Sequence, residues 1–234
     1  TLAALQSFGA NVSFTDTYTI AVSGTKMHAW SGRIEGDYSN AAFLDAFHAL
    51  GADVHVSNLN PDSLQGDRVY RDCFRKLSEG TPVLDISDCP DLGPVLFALA
   101  AMKNGATFTG TDRLKAKESD RGAAMDEELR KLGGGLVFGD NSITVPKQKL
   151  QYQGTVLDGH NDHRIVMALS VILTQTGGAV ADAQAVTVRL SDDRELAAQI
   201  IGVTDEEVAA KLDAKRKADA VKVLEKDRTI AANL

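Results

Sequence analysis

The chain has 234 residues, 44% hydrophobic and 24% charged, a balance typical of globular proteins that bury a large core without disulfide staples. A net charge of −7 and a pI of about 5.2 disfavour nucleic acid as the main partner, and no apolar run approaches the ~20 residues of a bilayer-spanning helix. Cys73 and Cys89 lack metal-ligand spacing and read as free thiols of a reducing cytoplasm.

The chain opens on Thr1, and Thr1 to Gly9 reads as the end of a helix, so the sequence has the look of a fragment that starts inside a domain. Gly9 is placed as a helix C-cap, and the alternation of Val12 and Phe14, then of Tyr18 to Val22 after Asp16, predicts a hairpin. The same order returns later. Leu129 to Leu132, the stop at Gly133, the alternation Leu136–Phe138, Asp140 and then Ser142–Val145 predict a second helix-plus-hairpin unit. A degenerate third helix, from Asp67 to Leu77, echoes the one that follows Asp120.

Between these repeats, Ser39 and Asn40 are expected to cap a helix from Ala41 to Leu50, and Val54–Val56 to form a short strand. The apolar run from Asp91 to Met102 predicts a helix that ends near Asn104 and Gly105, with a strand at Ala106–Thr109 beyond it. Asn161 or Asp162 caps a helix that is apolar nearly all round and stops at Gly177–Gly178, so it is expected to be buried. After Val186 the character changes. Thr204–Glu207 is a capping box that opens a charged helix to about Arg228, read as a solvated helix lying on the domain by one thin apolar stripe.

Two short segments concentrate charge at helix starts: Lys117–Arg121 and Asn161–Arg164. Each sets cations and a carboxylate within one turn, where free backbone N–H groups and the helix dipole favour an anion. About forty residues separate them, so they meet only if the fold brings two helix starts together. Asp91, just after Pro90, reads by itself as a helix N-cap; beside Lys117 it would instead be a carboxylate whose proton affinity is set by the cation. Asp162 reads as a cap rather than a catalyst.

In this order, Pro90–Asp91, Lys117–Arg121 ahead of Glu128–Gly133, and Asn161–Ala168 resemble the enolpyruvyl transferases. Glu35–Phe43 and Ser63–Asp67 resemble the second half of the family's shikimate-pathway branch, and the resemblance runs from residue 1 to about Val186. It implies an α/β fold: an inside-out domain of βαβαββ units, partial here, with helices in the centre and sheets outside. It also implies a reaction needing neither metal nor cofactor, in which the enolpyruvyl group of phosphoenolpyruvate passes to the 5-hydroxyl of shikimate-3-phosphate. By position, Asp91, Lys117 and Glu118 match the catalytic groups: Asp91 handles the hydroxyl, Lys117 lies near it and the shikimate phosphate, and Glu118 delivers a proton to carbon. Arg121, His163 and Arg164 match the anchors for phosphoenolpyruvate.

The resemblance divides the chain into a remnant of a first domain (residues 1–34), a C-terminal transferase-like domain (35–190) and a helical tail (191–234). The family's first domain supplies further cations from across the site, and a separate chain carrying it is one implied partner. Where the family continues with Lys-Ser, this chain has Thr187–Asp192, with Arg189 a candidate replacement for the lysine. The alternatives are a non-catalytic anion-binding domain and an interaction protein that uses the tail helix.

Overall fold

A computed structural model describes residues 1–24, 26–32, 34–178, 180, 181, 187–189 and 195–197. It divides into two units, Thr1–Gly36 and Asp37–Leu234. In the first, α1 (Leu2–Ser7) is followed by β1 (Asn11–Phe14) and β2 (Ile20–Ser23), which pair antiparallel with Asn11 opposite Ser23. The Asp16 carboxylate accepts the Tyr18 and Thr19 N–H groups and closes the turn, as its side chain is suited to do. This is the expected hairpin after a helix.

The second unit begins with α2 (Tyr38–Ala49). Its cap is Asp37, which accepts from the Ser39 and Asn40 N–H groups, so the helix starts earlier than the expected Ala41. Ser39 is instead turned to the Asp67 carboxylate. No strand forms at Val54–Val56: their exposure alternates, but a strand also needs a partner to take its backbone hydrogen bonds. A 3-10 turn at Gly66–Val69 leads into α3 (Tyr70–Glu79).

Residues 83–145 form one complete βαβαββ unit. Its elements are β3 (Val83–Asp85), α4 (Gly93–Met102), β4 (Ala106–Thr109), α5 (Arg121–Lys131), β5 (Val137–Gly139) and β6 (Ser142–Val145). The sheet order is β3-β4-β6-β5. β3 and β4 are parallel across the α4 crossover, and β5–β6 is the second expected hairpin. A shorter unit follows, with β7 (Leu157–Asp158) parallel to β8 (Val180–Ala181) across α6 (His163–Thr176).

Helices occupy the middle. Residues Gly93–Ala101 of α4 are all buried, and α4 packs on α6, whose Ile165, Leu169, Ile172 and Leu173 are buried with it. An all-apolar helix is stable only in such a position. The β4 and β6 strands turn alternate residues, Ala106, Phe108, Ile143 and Val145, towards this core. The mixed helix-and-sheet class expected from the sequence is therefore the observed one.

Cys73 and Cys89 are both buried, free thiols. No described helix is long and apolar enough to cross a membrane. β9 (Thr187–Arg189) and β10 (Glu195–Ala197) pair antiparallel, with Arg189 opposite Glu195 in register. The helix expected at Thr204–Arg228 lies outside the described residues.

Candidate active site

The charged segments do meet, at the N-terminal ends of α4, α5 and α6. Asp91 arrives from β3 through a turn closed by Asp85, which accepts the Ser87 N–H, and lies in the 3-10 turn Pro90–Leu92. It caps nothing, contrary to its reading as an N-cap, because α4 starts two residues later, at Gly93. Gly93 has a specific task there. A Cβ at that position would come within 2.9 Å of the Leu114 side chain, so glycine lets the start of α4 lie against the segment that carries Lys117. That segment leaves β4 through Gly110 at φ 73°, a conformation that disfavours a side chain, and runs as a 3-10 helix over Thr111–Ala116.

α5 starts at Arg121 behind the Asp120 cap, and α6 starts at His163 behind Asp162, whose carboxylate accepts the Arg164 N–H at 2.9 Å. Asp162 also does what the cap reading missed. Its Oδ2 accepts from Arg121 Nε at 2.8 Å and from the Ser119 hydroxyl at 3.0 Å. The remaining Arg121 nitrogens donate to Asp91 Oδ1 at 2.8 Å and Glu118 Oε2 at 2.5 Å. The Arg121 side chain is 0% exposed and its donors are taken by three carboxylates. Lys117 Nζ lies 2.9 Å from the same Asp91 Oδ1, and Arg164 Nη2 lies 3.5 Å from Oδ2.

Five of the six residues singled out from sequence, Asp91, Lys117, Glu118, Arg121 and Arg164, thus form one network. Exposed His163 stands at the start of α6, and its side chain makes no hydrogen bond or ion pair with the described residues. The network balances three cations, Lys117, Arg121 and Arg164, against three carboxylates, Asp91, Glu118 and Asp162. One donor is left over. Arg164 Nη1 is buried and has no hydrogen-bond partner among the described residues. Arg164 itself is nearly enclosed, with Asp91 its ion-pair partner, so the described residues leave an acceptor lacking at this point of the site.

The environment fixes the charge of the carboxylates. Burial pushes the Asp91 carboxyl up, but the Lys117 hydrogen bond, the Arg164 charge and the Arg121 hydrogen bond outweigh it and hold the group below the usual aspartate range. Burial also works against ionised Asp162, and Arg121 with the Arg164 N–H outweighs it in the same sense. Asp67, which contacts Ser39, is pushed up by its own burial and further by the charge of Asp91.

A pH dependence follows. A carboxyl lowered by folding stabilises the native state above its unfolded value of about 3.8 and loses that contribution as pH falls through the lower folded value. Asp67 has the opposite sign: its raised carboxyl opposes folding at neutral pH and is relieved by protonation. Acid unfolding followed by circular dichroism should show stability that is flat near neutrality and falls below about pH 4. Substituting Asp162→Asn should flatten the acid limb; an unchanged limb would remove Asp162 from the account.

Comparison with known proteins identifies the family of the chain. The sequence profile of EPSP synthase (3-phosphoshikimate 1-carboxyvinyltransferase) matches residues 1–191. The chain belongs to the EPSP synthase family. Among curated relatives, the 3-phosphoshikimate 1-carboxyvinyltransferase of Clostridium botulinum (strain Eklund 17B / Type B) is 32% identical over 193 residues, 74% of this chain and 45% of that protein. The enzyme of the same name from Methanoculleus marisnigri is 36% identical over 174 residues, 66% of this chain and 41% of its own. The structure of EPSP synthase from Acinetobacter baumannii superposes with a TM-score of 0.58 at 22% identity, covering 75% of this chain and 48% of that one, which is a likeness of fold. The chain spans about half the length of the curated relatives it matches.

Proposed function

We propose that this chain carries the proton-transfer and anion-holding half of an enolpyruvyl transfer from phosphoenolpyruvate to the 5-hydroxyl of shikimate-3-phosphate. The observation that carries the reading is the meeting of Lys117, Arg121 and Arg164 on the single carboxylate of Asp91, with Arg164 Nη1 lacking an acceptor among the described residues. A substrate phosphate or carboxylate supplies what Arg164 lacks, with His163 beside it at the same helix start.

The chemistry divides among the remaining groups. In the addition, the hydroxyl oxygen bonds to the central carbon of phosphoenolpyruvate, its proton leaves, and another proton reaches the methylene carbon. In the elimination, phosphate departs and a methyl proton is lost, which restores the double bond. Asp91, ionised throughout the neutral range, accepts the proton that the hydroxyl loses, and Lys117 holds the oxygen in line. Half-exposed Glu118, once parted from Arg121 and protonated from solvent, is the acid for the methylene carbon, and the carboxylate this leaves takes back the methyl proton in the elimination. Arg121 orients Asp91, Glu118 and Asp162 in this arrangement. Its contact with phosphoenolpyruvate requires Glu118 to swing away and free Nη2.

The charge balance favours a second reading, a domain that binds anions weakly and does no chemistry, since each cation already faces a carboxylate. Titration of the 15N-labelled chain with phosphoenolpyruvate tests the anion site common to both. Amide shifts at Lys117–Arg121 and Asp162–Arg164 should saturate in the millimolar range, and Arg164→Ala should weaken binding about tenfold or more, the worth of one charged hydrogen bond. Shifts confined to other regions, or an Arg164→Ala variant that binds like the parent, would defeat the assignment.

A further inference from the structure

The loop that delivers Asp162, His163 and Arg164 is held from below by a second, separate contact. His160 and Asn161 adopt φ 51° and 53°, two successive left-handed residues that are not glycine. Such backbone persists only where neighbouring contacts fix it. Here the fixing group is Glu128 of α5, whose side chain is fully buried. Its Oε2 accepts the Asp158 N–H at 2.8 Å, and its Oε1 lies 2.7 Å from His160 Nε2. An ionised carboxylate can only accept, so Nε2 carries the hydrogen. The Asp158 side chain in turn accepts the His160 N–H at 2.7 Å, and Asp162 N–H donates to Gly159 O at 2.9 Å.

Glu128 lies about two helical turns beyond Arg121 on α5, a spacing that returns to nearly the same face. One rigid helix therefore grips the start of α6 at two points. Arg121 holds Asp162, and Glu128 holds Asp158 and His160. A single contact would leave the loop free to pivot; two along one helix set its register. Glu127, Glu128 and His160 also bring ligand-type atoms within 4.8 Å of one another, but the Lys131 ammonium already lies 2.8 Å from Glu128 Oε1, so the cluster has its cation.

We propose that Glu128 and His160 are a positioning pair for the anion site, setting the left-handed loop and through it the placement of His163 and Arg164. The proposal rests on the functional reading above for what the loop serves, but not for how it is held. The test uses the full chain in three forms: parent, His160→Ala, and His160→Gln, whose side-chain amide can again donate to Glu128. Hydrogen exchange of the Asn161–Val166 amides reports the loop, exchange in α4 reports global stability, and phosphoenolpyruvate titration reports the site.

In His160→Ala, exchange at Asn161–Val166 should quicken about tenfold with α4 unchanged, and phosphoenolpyruvate affinity should fall by about the same factor, as expected for loss of one charged hydrogen bond. His160→Gln should recover most of both. Unchanged loop exchange in His160→Ala, or a His160→Gln variant as loose as His160→Ala, would overturn the proposal. So would parallel acceleration in α4, which would mark a merely structural role. If the parent fails to bind phosphoenolpyruvate, the enolpyruvyl reading fails, and the exchange data still decide whether the pair sets the loop.

Discussion

Replacing Arg121 by methionine should lower the unfolding free energy by about 3–5 kcal/mol, a large share of the ~5–15 kcal/mol that holds a domain together. The reason is asymmetric. The Arg121 guanidinium is fully enclosed and Asp162 with it, so the substitution removes the cation and leaves a buried carboxylate whose remaining partners are the Ser119 hydroxyl and the Arg164 N–H. Glu118 and Asp91 suffer less: both reach solvent, and Asp91 keeps Lys117 at 2.9 Å. Urea denaturation gives the magnitude. The double variant Arg121→Met with Asp162→Asn should recover part of the loss, because it removes the stranded charge as well as its partner. A loss below about 1 kcal/mol for Arg121→Met would mean that the site is wetter than its enclosure implies.

The second large effect is on turnover. The chain by itself should release little or no phosphate from phosphoenolpyruvate and shikimate-3-phosphate. Its cations are matched by its own carboxylates, and a substrate carrying phosphate and carboxylate groups needs positive charge beyond that. Affinity for phosphoenolpyruvate in the millimolar range corresponds to only about 4 kcal/mol, too little to hold two reactants in line. The N-terminal half of a curated relative, added in trans, should raise phosphate release if the halves dock. In that reconstituted system Asp91→Ala should reduce turnover by about 10²–10⁴, the range for a positioned acid–base group. Fast release by the chain alone would refute the charge argument. An Asp91→Ala variant as active as the parent in the reconstituted system would take Asp91 out of the chemistry.

Much of the architecture could be read locally. The hairpins after α1 and α5 follow from strict alternation after a glycine stop, and α6 follows from an apolar run behind Asp162. Caps, stops and periodicity act over a few residues, so adjacent sequence determines them. Sequence pattern places the start of α2 too late, because Asp37 and Ser39 are both good caps. Only the fold, which turns Ser39 towards Asp67, separates them. Val54–Val56 has the alternation of a strand and forms none, since a strand depends on a partner that sequence pattern does not supply.

The candidate site divides in the same way. Which residues carry charge at helix starts was plain in Lys117–Arg121 and Asn161–Arg164. That Arg121 is enclosed by three carboxylates, that Asp162 holds it as well as capping α6, and that Glu128 steadies His160 were not. Apart from Glu118, which lies one helical turn from Arg121, these partners are some thirty or forty residues apart, and they meet because α5 packs against α6 and the turn that carries Asp91 ends beside them. Sequence alone determined the chemistry available at each helix start. The tertiary structure decided which of those charges are spent on one another, because pairing and burial depend on distances that only the packed helices set.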